Sequence, residues 1–157
     1  MAERAITAKP VLDSDPNALH PVTREIIVSG LKPTAMDAFA AFYRLEELRR
    51  VAGRTLSAVE ALALPTAPTA YTVAQVLADP IQLNNRLGTY TNFVNLLDLC
   101  GLALPAAFTA DGIPFGITLL APGGKDAALA EIGRVFQADT GLPLGAPEAS
   151  HLSGAPV

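Results

Sequence analysis

The sequence predicts an α/β layer arrangement, with a few strands in a mixed sheet flanked by helices. Three observations carry this. Stretches with helical apolar spacing alternate with short continuous apolar runs, in the order helices, strand, helix, strand, strand, helix. Only three strands can be read, too few for a sheet that must bury both faces. Half of the 157 residues are apolar and 17% are charged, a composition that seeks more burial than a small domain usually offers. The last two observations point to a piece of a larger fold, or to an adhesive surface.

The elements follow in order. A short helix opens the chain and a loop with Pro10, Pro16 and Pro21 follows. "HPVTREIIVSG" reads as a proline-started helix that stops at Gly30. Thr34 and Asp37 resemble a capping box, with Asp in place of Glu or Gln. Beyond it Ala38, Phe42, Leu45, Leu48 and Ala52 form one apolar stripe on a long helix that ends near Gly53, or a turn later towards Val59. The charged residues of that helix read as a solvated face.

"ALALP", residues 61–65, is a buried strand, and the proline-rich "PTAPTAYT" is a loop. "TVAQVLAD" makes a short helix stopped before Pro80. Residues 84–100 read as a helix ended by Gly101, with Leu83, Leu87, Tyr90, Val94 and Leu97 on one face. "LALPAAF" and "PFGITLLA" are strands joined through the Asp-Gly turn signal of "TADGI". Lys125–Thr140 is an amphipathic helix with Leu129, Ile132, Val135 and Phe136 inward. Residues 143–157 are rich in Pro, Gly, Ala and Ser without a period, and are expected to form a flexible tail.

Composition also narrows function. A net charge of −4 without a basic block argues against a nucleic-acid partner. Cys100 is the sole cysteine, so an internal disulfide is excluded, and it reads as a small buried apolar side chain. With His20 and His151 it is too scattered for a zinc set, and no metal or cofactor is expected. No apolar run approaches the roughly 20 residues of a membrane span. Residues 1–15 lack a signal-peptide core, so the cytoplasm is the default location.

One segment stands apart. "RLGTYTNFVNLLDL", residues 86–99, is mostly apolar yet carries an arginine, two asparagines and two threonines. Together with "ALALPTAPTAYT", "GLALPAAF" and "DGIPFGITLLAP", in that order along the chain, it resembles the C-terminal part of the amidase signature family, and within it the allophanate hydrolases. "HPVTREII" and "DAFAAFYRLEELRR" resemble the family segment just upstream. The likeness covers residues 1–142. It implies the C-terminal portion of an α/β/α amidase domain, from an enzyme that splits allophanate into ammonia and carbon dioxide during urea degradation. It also suggests a homodimer.

The family hydrolyses amides with a serine nucleophile, a second serine and a lysine in a Gly/Ser-rich segment. Ser14, Ser29, Ser57, Ser150 and Ser153 lie in no such segment, nor do Lys9, Lys32 and Lys125. No catalytic residue is therefore assigned to this chain, because a nucleophile needs a base in hydrogen-bond reach and preorganised oxyanion donors.

Four residues are candidates for substrate binding. Arg86 offers a planar guanidinium that can grip the carboxylate of an acidic amide; the other reading is a surface arginine, or one paired with Asp79 or Asp98. Tyr90 lies four residues on, sharing its face on an ideal helix. Asn92 stands with Asn95 on a different side, where the amides either face the ligand or tie the helix to a neighbouring loop. Tyr71 follows the proline-rich loop at a strand's C-terminal end, a favoured ligand position in α/β sheets, or else anchors the loop. Such a chain is a truncated enzyme, one half of a split amidase whose missing half is a partner chain, or a non-catalytic interaction module.

Overall fold

The computed structural model describes residues 2–142, so the expected tail at 143–157 lies outside the described residues. The chain divides into two compact units between Glu47 and Leu48. In the first, α1 (Ala2–Ser14) packs on α2 (Pro21–Ser29) and buries Ala5. A single 3-10 turn, Pro16–Ala18, joins them, and the Asp15 side chain accepts from the Asn17 N–H at its start. α1 runs through Pro10 to Ser14, longer than the expected short helix. Pro10 lies inside this helix, where proline lacks the N–H that would bond the carbonyl four residues back and its ring crowds that carbonyl.

α3 (Ala35–Leu56) crosses the division. Its start is the capping box foreseen in the sequence. The Thr34 N–H and hydroxyl both donate to Asp37 Oδ2, at 2.8 and 2.7 Å, while the Asp37 N–H donates to Thr34 Oγ1. These bonds, the backbone one foremost, hold the Asp37 carboxyl below its ordinary value. The expected apolar stripe is the covered side of α3 only in part, at Leu45 and Ala52. Phe42 and Leu48 are exposed, and the covered residues are Leu45, Arg49, Ala52 and Leu56.

The second unit is built on a three-stranded sheet of order β1 (Leu62–Pro65), β3 (Pro114–Pro122), β2 (Leu99–Phe108). Both pairings are antiparallel, which corrects the expected mixed sheet for the described residues. The reason is topological. The Thr109–Ile113 turn folds β3 back along β2, and β3's other edge takes β1. The outer strands run the same way but never pair with each other.

Among the described residues β3 carries the longest buried run, Thr118 to Ala121. On one face Leu119 and Ala121 meet Leu129 of α6 (Asp126–Thr140), with Cys100, Leu102, Leu104, Ile117 and Ile132 around them. Gly133 lets α6 approach, since a Cβ there would stand 2.5 Å from Leu102 Cδ2. Val135, expected inward, is exposed; Gly133 takes the buried position instead. Cys100, expected to be buried, is only half-buried, with its Sγ 3.3 Å from the Pro122 carbonyl.

Between β1 and β2 come α4 (Val73–Ala78) and α5 (Pro80–Leu87). The expected helix over 84–100 ends at Leu87. Residues 88–98 instead form successive turns with mixed three-, four- and five-residue backbone bonds, and β2 begins at Leu99. Gly, Thr and Asn between positions 88 and 95 are weak helix formers, and local polar side chains compete for the backbone. The residues read as one apolar face, from Leu83 to Leu97, are nonetheless all half-buried, because turns of three to four residues preserve nearly the same spacing. Among the described residues no helix is long and apolar enough to cross a membrane.

Two outcomes test this fold. Leu129→Ala should cost about 2–5 kcal/mol in urea unfolding, since a fully buried leucine is removed from the sheet–helix core. The Asp37 contribution is complete above its unfolded value of 3.8 and fades as pH falls from there through the lower folded value. Asp37→Asn should therefore flatten the stability-versus-pH slope below about pH 4 and leave it unchanged at neutral pH.

Candidate functional site

The carboxyl ends of β1 and β2 open on a cleft of about 780 Å³. The loop after β1, Thr66 to Ala70, forms one wall; Ala103–Pro105 of β2 and the 109–116 hairpin form the rest. Its walls are mainly Ala, Pro, Leu, Ile and Phe, and its polar groups are Thr66, Thr69, Thr109 and Asp111. Thr66 is fixed by a hydroxyl contact of 2.9 Å to Thr118 on the central strand. The Thr109 hydroxyl accepts from the Ile113 N–H and shapes the turn. This lining offers recognition surface but no nucleophile–base pair.

None of the four sequence-predicted residues lines the cleft. Tyr71 directly follows its wall at Ala70 and precedes α4, whose capping box pairs Thr72 with Gln75. The Tyr71 hydroxyl is buried without a hydrogen-bond partner among the described residues. Arg86 occupies the last turn of α5, where the helix dipole favours a cation. It is exposed, and its guanidinium has no partner among the described residues. Both carboxylates considered as its partners are engaged elsewhere: Asp79 accepts from the Gln82 N–H, and Asp98 pairs with Arg49 at 2.9 Å.

Tyr90 is half-buried in the turns after α5, so ideal helical spacing does not relate it to Arg86. Asn92 is exposed, and its amide lies so close over Gly88 that any Cβ there would overlap it. That contact lets the chain fold back after α5. The run of turns ends at Asp98, which adopts a positive φ of 54°. Arg49 of α3 holds this end, donating from Nε to the Leu96 carbonyl at 3.0 Å while pairing with Asp98. Arg49 is thus a structural tie, where the sequence suggested a solvated face.

The described serines are tied to their own helix ends. Ser14, Ser29 and Ser57 donate to the carbonyls of Pro10, Ile26 and Arg54, at 2.9, 2.6 and 2.9 Å. Lys9 pairs with Asp13. Ser150 and Ser153 lie outside the described residues. The cleft residues Thr66, Thr69, Thr109 and Asp111 were missed by sequence reasoning; the available signal was that the proline-rich loop leaves a strand's carboxyl end.

A three-stranded antiparallel sheet backed by a helix, with loops gathered at the outer strands' carboxyl ends, defines a mixed α and β architecture. A sequence profile of the amidase family matches residues 13–130, and the chain belongs to that family. It is 41% identical to urea amidolyase of Saccharomyces cerevisiae over 140 residues, 87% of this chain and 8% of that protein. It is 37% identical to urea amidolyase of Lachancea kluyveri over 84% of this chain and 7% of that one. Its structure superposes on Kluyveromyces lactis allophanate hydrolase with a TM-score of 0.84 and 34% identity, over 88% of this chain and 23% of the other. The chain thus spans a small part of each relative.

Tyr71→Phe is expected to raise the stability of this chain in urea unfolding by about 1 kcal/mol, because it deletes a buried hydroxyl that lacks a bond here.

Proposed function

We propose that residues 1–142 form the C-terminal portion of an amidase domain of the allophanate hydrolase type, and that this portion helps select an acidic linear amide. Arg86 binds the substrate carboxylate, with Tyr71, Tyr90 and Asn92 shaping the surrounding pocket. The groups that break the amide bond come from polypeptide beyond this segment, joined to it or supplied as a partner chain. The observation that carries the reading is the Arg86 guanidinium, exposed and without a partner among the described residues while Asp79 and Asp98 are both engaged. A guanidinium left open in this way suits bidentate capture of a planar carboxylate.

The test replaces the matching segment of the Kluyveromyces lactis enzyme with this chain and measures ammonia release. Allophanate is compared with biuret, in which a carboxamide replaces the carboxylate. Arg86→Ala should lower kcat/KM for allophanate roughly 10- to 100-fold, the worth of a charged hydrogen bond of about 1.5–3 kcal/mol, and leave biuret nearly unchanged. Equal losses on both substrates, or none on either, would overturn the role of Arg86.

A further inference from the structure

α3 begins with a surface that its sequence marks for burial. Every residue from Ala35 to Arg44 is exposed. Met36, Phe39, Phe42 and Tyr43 retain 83, 61, 64 and 70% of their accessible surface. At 100° per residue these four fall within an arc of about 120°, one continuous face of the helix. The rings of Phe39 and Tyr43 stand 6.5 Å apart and tilted by 41°, so the aromatic pair is already assembled. Arg44, Glu46 and Glu47 follow at its end. An apolar, aromatic centre with a charged margin is the anatomy of a protein interface rather than of a free helix.

The extent of a related protein suggests an occupant. The chain superposes closely on an allophanate hydrolase while accounting for 23% of that protein, so the relative holds a large body of polypeptide with no counterpart here. We infer that the Met36–Tyr43 face of α3 is a docking surface for the remaining, N-terminal part of an amidase domain. The inference rests on the proposed amidase-domain reading and adds the surface through which the two parts join. Phe39 and Tyr43 are its central anchors, since large rigid aromatics at the middle of a contact carry most of its energy.

The probe is the amidase domain of Kluyveromyces lactis allophanate hydrolase lacking the segment that this chain matches, produced separately and mixed with the full chain. Light scattering after size exclusion should show a one-to-one complex. Phe39→Ala with Tyr43→Ala keeps good helix formers at exposed positions, so circular dichroism should be unchanged while affinity falls at least tenfold. A dye attached at Ala40→Cys, exposed beside the face, in a Cys100→Ala background should shift to the blue on mixing, an independent readout if the double variant misfolds. Equal binding by the parent and the double variant would overturn the docking face and leave the amidase-domain reading intact. Absence of any complex with the folded parent chain would also overturn it; the reading then stands or falls with the activity of the grafted enzyme. Self-association abolished by the two alanines would assign the face to a second copy of this chain, against the inference.

Discussion

The position of β3 between β1 and β2 is the constraint on which the second unit depends. A strand paired on both edges and covered by α6 holds three buried residues in a row, Leu119 to Ala121. Because both neighbours are antiparallel to it, β1 and β2 point the same way, and their carboxyl ends open together on the cleft. The chain must then travel from the end of β1 to the start of β2 through residues 66–98. That crossover holds the proline-rich wall, the two short helices and the turns that carry Arg86, Tyr90 and Asn92. The segment with the most unusual sequence is thus the one the sheet leaves least regular.

Legibility in the sequence followed the strength of local signals. The strands at β1, β2 and β3, the Asp-Gly turn and the Thr34–Asp37 cap were readable because each rests on nearest neighbours in the chain. The 88–98 stretch was misread as helix because apolar spacing reports which side is covered, not which backbone bonds form. Leu87, Tyr90, Val94 and Leu97 satisfy the spacing in either conformation, and only the Gly, Thr and Asn between them argue for turns. Strand direction was not legible, since it depends on whether β1 pairs with β3 or with β2.

The same distinction explains α3. Its stripe of Ala38, Phe42, Leu45, Leu48 and Ala52 is a true amphipathic pattern, but a pattern states a preference and not a partner. In this chain the preference is met only towards the C-terminal end, where Leu56 is buried and Arg49 grips the turn at Leu96 and Asp98. The site shows a parallel mismatch. Chemical character singled out Arg86 and the tyrosines, whereas the cleft walls are ordinary Thr, Ala and Pro whose role comes from their place at strand ends. No residue-type signal distinguishes such walls from any other loop.

If recognition and bond breaking are divided as proposed, the division has a kinetic signature. A guanidinium that grips a carboxylate two bonds from the reacting carbonyl holds substrate and transition state about equally. Uniform binding of that kind lowers KM without raising kcat. Residues that act on developing charge, the nucleophile, its base and the oxyanion donors, raise kcat instead. Changes in this segment should therefore alter which amide is accepted more than how fast a bound amide is cleaved. Ser14, Ser29 and Ser57 fit that division. Each hydroxyl donates to a carbonyl three or four residues back, and no base is bonded to it among the described residues. Such a hydroxyl serves a helix end rather than a reaction.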